Sequence, residues 1–153
     1  KRGLFRRTYC IAELKKKKIN FNIKQINISE NNKIHTLRGF HYQVSPYGED
    51  KIISCIQGKI HNIVIDMRKK SKTYMQWQSF DLSEKNRLAV LVPKGCANAY
   101  LTLKMKTWIL YFHSQFYKKG FEKSIRYNDP KFNFDWPHKV RVISNKDNNV
   151  KFV

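Results

Sequence analysis

Histidine is the side chain that most readily gains and loses a proton near neutral pH. The chemistry therefore starts at His41, in the stretch Thr36-Leu-Arg-Gly-Phe-His-Tyr-Gln43. Three readings are open for it: a hydrogen-bonded core residue, a metal ligand, or a base beside an anion held by Arg38. A metal set is hard to assemble. A cupin-type site wants two histidines on alternate strand positions, a Glu shortly after and a third His further on. Here Tyr42-Gln43 follow His41, no acid completes a set around His61, and His113 and His138 stand alone. Zinc-ligand spacing is also missing. A proton-transfer set assembles more readily. In Thr107–His113, alternation places Thr107, Ile109, Tyr111 and His113 on one face. Tyr111 can then share an interior with His41, Lys51 opens a strand, and Asp147 lies in a C-terminal segment able to fold back. In such a set His takes a proton next to a carbonyl and Asp orients the imidazole. Lys stabilises the enolate and Tyr returns a proton. Spacing alone leaves the structural histidine the commoner reading.

Such residues need strands to aim them. Phe21 and Ile23 share a face with Gln25 and Asn27, so one strand passes from apolar to polar along its length. That suits a barrel packed at one end and open to a polar ligand at the other. Lys51–Ile56 and Ile60–Met67 flank a hairpin signal at Gln57-Gly58. Trp77–Leu82, Leu88–Val92, Tyr100–Leu103 and Thr107–His113 read as further strands between Ser-, Asn-, Pro- and Gly-containing turns. The pattern predicts an all-β antiparallel sandwich or barrel. A short helix from about Thr8 precedes it, ending in Lys15–Lys18, and a loop-rich tail from Tyr117 follows. The expected single domain spans residues 1–153, with an arm 1–20, a barrel 21–116 and a C-terminal segment 117–153. Arg38 and His41 have opposite alternation, so both face one ligand only if Gly39 marks a bulge.

Composition narrows the class. At 41% hydrophobic and 14% aromatic, the chain can pack a core and is too apolar for disorder. No apolar run approaches a membrane span, and no signal-peptide pattern is present, although the first residue is Lys rather than Met. Three scattered cysteines suit a reducing cytoplasm. The 31 Lys and Arg against 11 Asp and Glu give a formal net charge of +20. Such charge suits nucleic acid, an anionic substrate, or a solvated lysine-rich surface. The basic residues are spread over nearly every segment, and no P-loop, dinucleotide fingerprint or RNA-binding signature appears, so neither nucleic acid nor membrane is the expected partner.

Several pieces occur together in order: Arg2-Gly-Leu-Phe5, Gln25-Ile-Asn27, Leu37-Arg-Gly-Phe-His-Tyr-Gln43, Lys51, Asp66-Met-Arg68, Val92-Pro-Lys-Gly-Cys-Ala97, Tyr111, Tyr117, Ile125-Arg-Tyr-Asn-Asp-Pro130, Asp135-Trp-Pro137 and Ser144-Asn-Lys-Asp147. With these the chain resembles the dTDP-4-dehydrorhamnose 3,5-epimerase family. The resemblance implies a metal-free, cofactor-free, cupin-like jelly-roll barrel, usually a homodimer, that inverts C3 and/or C5 of a nucleotide-linked 4-keto sugar for surface polysaccharide, in the cytoplasm. It implies His41 as base with Asp147, or less readily Asp66, as its partner. Lys51 would serve the enolate oxygen and Tyr111 would be the acid on the opposite face. Arg38 would hold the diphosphate, Gln25, Asn27, Asn98 and Tyr117 would line the substrate site, and Arg2 and Phe5 would reach the partner subunit's site. A 4-keto-sugar isomerase of the same fold and a non-catalytic sugar-nucleotide binding module are the alternatives.

Three departures from the family pattern stand out. Asn98 follows Gly95-Cys-Ala97 where a His is usual, Arg7 stands where a Glu is usual, and Phe112-His113 follow Tyr111 where Lys-Cys is frequent. Asn98 can hydrogen-bond but carries no charge. These departures point to a divergent member acting on another nucleotide-linked 4-keto sugar, GDP- or CDP-linked or a heptose.

Overall fold

Period-2 alternation resolves into two antiparallel sheets facing one another. The structure is a computed structural model and describes residues 2–153. Among the described residues nine strands form: β1 (Gln25–Asn31), β2 (Leu37–Gln43), β3 (Lys51–Gln57), β4 (Lys59–Asp66), β5 (Trp77–Ser83), β6 (Ala89–Val92), β7 (Cys96–Thr102), β8 (Thr107–His113) and β9 (Glu122–Ser124). Two short helices, α1 (Ile11–Lys16) and α2 (Asn145–Asn148), complete the elements. One sheet runs β1-β8-β3-β6 and the other β5-β4-β7-β2-β9. The protein is thus all-β and cupin-like, with the strands paired as two sheets rather than one closed ring.

Both sheets are covered over part of their outer faces, and the sequence shows why. Outward Ile52 and Phe112 take Phe21, Tyr9, Leu14 and Ile19 of the N-terminal arm. Phe21 and Ile23 therefore belong to this packing rather than to β1, which starts at Gln25. On the other side β7 carries Ala97 and Ala99 outward, small enough to admit Phe132, Phe134 and Trp136 of the tail. Burying one such aromatic contributes about 1.5–3 kcal/mol, so a tail without regular structure is still firmly placed. Between the sheets lie Ile53, Cys55, Ile60, Leu82, Val92, Cys96, Tyr100 and Ile109. Cys55 and Cys96 are free thiols that burial pushes up to about 11, which makes them packing residues rather than nucleophiles.

Several elements differ from expectation. The helix begins at Ile11, not near Thr8. β7 starts at Cys96, four residues before the predicted run, because a central strand covered on both faces is buried throughout and shows no alternation. The tail holds β9, paired with β2, and α2.

The path of the tail matters for the site. Arg141 N–H and Val142 N–H both donate to the His35 carbonyl, and Leu37 N–H donates to Val142 O at 2.8 Å. This fastens the tail beside the start of β2. His35 stacks on His138 with ring centroids 4.6 Å apart, and its Nδ1 is buried without a partner. Burial, with His138 and Arg141 nearby, holds the His35 imidazole below its ordinary value of 6.5. The unfolded chain takes up this proton more readily, so the contribution to stability is full above about pH 6.5 and is lost as pH falls through the lower folded value. The melting temperature is expected to drop between pH 7 and 5. His35→Asn, which tolerates the left-handed backbone at φ 57, should flatten that slope in calorimetry.

Candidate active site

A cavity of about 610 Å³ opens between the sheets, within the size range of small-ligand sites. One wall comes from β2, β7 and α2, the other from β1, β3 and β8. Gly39 aims the first wall. Arg38 pairs with Tyr100 and His41 with Asn98, three residues against two, so β2 bulges between them. The bulge cancels the opposite alternation, and Leu37, Arg38 and His41 all line the cavity. Gly39 has φ 110, and a Cβ there would lie 2.5 Å from the Asn98 carbonyl oxygen.

His41 Nε2 lies 2.7 Å from Asp147 Oδ1. A carboxylate only accepts, so Nε2 carries the hydrogen and Nδ1 is the lone pair left for a ligand. The Asp147 side chain is 5% exposed and that of His41 33%: the orienting group is buried and the imidazole is open to the cavity. Asp147 is placed by α2, which Ser144 caps by accepting from Asp147 N–H at 3.1 Å. Burial pushes the Asp147 carboxyl up. The His41 bond and charge, the Gly39 N–H and Ser144 outweigh it and hold the group below its ordinary value.

Lys51, buried at the start of β3, reaches His41 O at 3.2 Å, Asn98 Oδ1 at 3.5 Å and Glu49 Oε1 at 3.5 Å. Burial lowers its ammonium below the ordinary value and Glu49 acts against that. Tyr111 faces the cavity from β8, on the sheet opposite His41, and burial pushes its phenol well above the ordinary value. Such a phenol keeps its proton at neutral pH and can act as a donor. Arg38 Nε donates to Asn31 Oδ1 at 2.8 Å.

His41, Asp147, Lys51, Tyr111, Arg38, Asn27 and Asn98 therefore meet in one cavity. Gln25 does not line it; it stands beside it on β1, accepting from Tyr117 N–H at 3.4 Å. Tyr117 is exposed, its hydroxyl donating to Glu122 at 3.3 Å. Arg2 and Phe5 lie outside the cavity, and Phe5 is 97% exposed. Arg7 pairs with Glu13 on the arm. Asp66 is spent elsewhere: its oxygens accept from Arg68 N, Nε and Nη2 and from Thr73 Oγ1. Arg68 holds its carboxyl well below the ordinary range. Asp66→Asn is expected to cost about 2 kcal/mol of stability by urea titration and to leave turnover nearly unchanged.

Sequence reading missed Ser29, Asn31, Glu49 and Lys146. Ser29 and Asn31 continue the polar face of Gln25 and Asn27, so extending the alternation would have found them. Glu49 sits in a turn, where no pattern marks it. Among the described residues no group of three or more His, Cys, Asp or Glu side chains could hold a metal ion. No helix among them is long and apolar enough to cross a membrane.

The family model described as dTDP-4-dehydrorhamnose 3,5-epimerase matches residues 1–153. The enzyme of that name from Shigella flexneri is 35% identical over 118 residues, covering 76% of this chain; the aligned region spans 65% of that protein's length. The solved enzyme from Bacillus anthracis, with TDP and PPi bound, superposes with TM-score 0.96 at 31% identity over 99% of this chain and 87% of its own. The Legionella pneumophila epimerase, in complex with dTDP-4-keto-L-rhamnose, gives 0.93 at 31% identity over 99% and 80%. Matched from first residue to last and sharing its fold with solved members, the chain belongs to the dTDP-4-dehydrorhamnose 3,5-epimerase family.

Proposed function

We propose that the protein epimerises a nucleotide-linked 4-keto deoxysugar at C3, C5 or both, by deprotonation and reprotonation through an enolate. The observation that carries this is the His41–Asp147 pair facing Tyr111 across the cavity, with the Lys51 ammonium beside them. His41 Nδ1 takes the proton from a carbon next to the C4 ketone. The C–H electron pair forms the C=C bond and the carbonyl π pair moves to oxygen, where Lys51 stabilises the negative charge. Tyr111 gives its proton to the other face of that carbon, the carbonyl re-forms and the centre is inverted. Tyr111 then recovers a proton and His41 releases one to solvent. Only protons move, so the step balances without an electron carrier.

Arg38, Asn27 and Asn98 serve the substrate in this reading, with Arg38 matched to a diphosphate. Gln25 and Tyr117 extend that surface at its edge. The names of the relatives support dTDP as the nucleotide and a 6-deoxyhexose as the sugar. They lend nothing to the GDP, CDP or heptose expectation drawn from Asn98 and Arg7, nor to an isomerase or a binding module. Incubating the protein with dTDP-, GDP- and CDP-linked 4-keto-6-deoxyhexoses tests this directly, with configuration at C3 and C5 read by NMR after reduction of the ketone. Epimeric products from the dTDP sugar are expected. Movement of the ketone to C3 would mean an isomerase, and tight binding with unchanged configuration would mean a binding module.

A cytoplasmic homodimer completes the proposal. Phe5 and Leu4 on the arm, with Ile26 and Ile28 on edge strand β1, expose apolar side chains that a second copy would cover, bringing Arg2 and Phe5 to the partner's cavity. Sedimentation is expected to give the mass of two chains, and Phe5→Ser to raise KM for the nucleotide sugar roughly tenfold.

A further inference from the structure

A second imidazole–carboxylate pair stands at the cavity wall, its imidazole being the departure at the end of β8, His113, and its carboxylate Glu49 of the turn before β3. His113 Nδ1 lies 2.8 Å from Glu49 Oε2, with both side chains largely buried. Nδ1 therefore carries the hydrogen, and Nε2 meets the Asn27 amide at 3.3 Å. The ring stacks on Tyr111 at 5.7 Å, and His113 is the register partner of Lys51. The other Glu49 oxygen, Oε1, stands 3.5 Å from Lys51 Nζ. One buried carboxylate is thus shared unequally, close to the imidazole and distant from the ammonium. The other two contacts of Lys51, at 3.2 and 3.5 Å, are also long. An unpaired ammonium in such a site would shed its proton. A tightly paired one would have its N–H groups taken by the carboxylate.

We propose that Glu49 and His113 are positioning residues of this site: His113 tethers the Glu49 carboxylate so that it stands near the Lys51 ammonium without closing on it, which retains a buried cation whose N–H groups stay available to a developing oxyanion. The inference rests on Lys51 serving the enolate oxygen in the reaction proposed above. The other ionisable groups facing Lys51 are accounted for. His41 has Asp147 behind it, Tyr111 keeps its proton, and Glu122 on β9 is paired with Lys146 at 2.7 Å.

The two residues act on Lys51 in opposite senses, which a merely structural pair would not. Glu49→Gln removes the counter-charge, so Lys51 should titrate at lower pH and the basic limb of the kcat profile should move down. His113→Phe keeps the stacking but releases Glu49 to close on the ammonium. Lys51 should then titrate at higher pH, and kcat should fall roughly tenfold with KM nearly unchanged. His113→Asn, whose amide N–H can replace Nδ1–H, should restore most of that loss. Lys51 is read on lysine labelled with 13C at the ε position, its signal assigned by loss in Lys51→Arg, without substrate. Opposite shifts with rescue by Asn support the tether. Shifts of one sign, no shifts, or equal defects in the Phe and Asn variants would overturn it. Opposite shifts in the two variants, with a wild-type protein that epimerises no 4-keto nucleotide sugar, would keep the tether and remove the proposed reaction.

Discussion

His41→Ala is expected to lower epimerisation by roughly 10²- to 10⁴-fold, the range for losing a positioned general base. Nucleotide-sugar affinity should change little, because Arg38 and Asn27 remain. Asp147→Asn should also be severe, up to roughly 10⁴-fold, since the imidazole survives but is held in the wrong tautomer. The two defects should not add, because Asp147 acts only through His41. Turnover and equilibrium binding, measured side by side, check this. A large loss of binding in His41→Ala would mean that the histidine holds the ligand rather than moving its proton.

The largest stability effect is expected at Gly39, which touches no substrate in this account. Ala there would need φ 110, which a residue with a Cβ rarely adopts, and its Cβ would meet the Asn98 oxygen at 2.5 Å and Ala99 Cα at 2.8 Å. Backbone strain and overpacking together should cost about 3–5 kcal/mol. β2 can relieve the clash only by undoing the bulge, which turns Arg38 or His41 out of the cavity. Urea unfolding should show the loss, and any folded fraction should be as inactive as His41→Ala.

The alternation of β8 placed Tyr111 and His113 correctly because one of its faces meets the polar cavity and the other the arm. The bulge at Gly39 was legible for the same reason: parity excluded Arg38 and His41 from one ligand unless the strand broke step. β7 was legible only in part, since a strand buried on both faces carries no alternation. The tail was legible as a string of stops, not as structure. Its regular elements are three and four residues long, and Phe132, Phe134 and Trp136 hold it by packing on Ala97 and Ala99. The run Ser144-Asn-Lys-Asp147 has the spacing of a helix cap, which announces α2, though not that its acid would turn to His41. Residue chemistry offered Asp147 and Lys51 as partners for His41, and resemblance to the family gave that set its weight; their proximity to His41 came from the fold.

The most direct test of the central claim is NMR in D₂O of the dTDP-linked 4-keto-6-deoxyhexose with wild type, His41→Ala and Tyr111→Phe. The account predicts that wild type replaces the C3 or C5 proton, or both, with deuterium, that His41→Ala does not, and that Tyr111→Phe exchanges without full inversion. Exchange that continues at the wild-type rate in His41→Ala would contradict it.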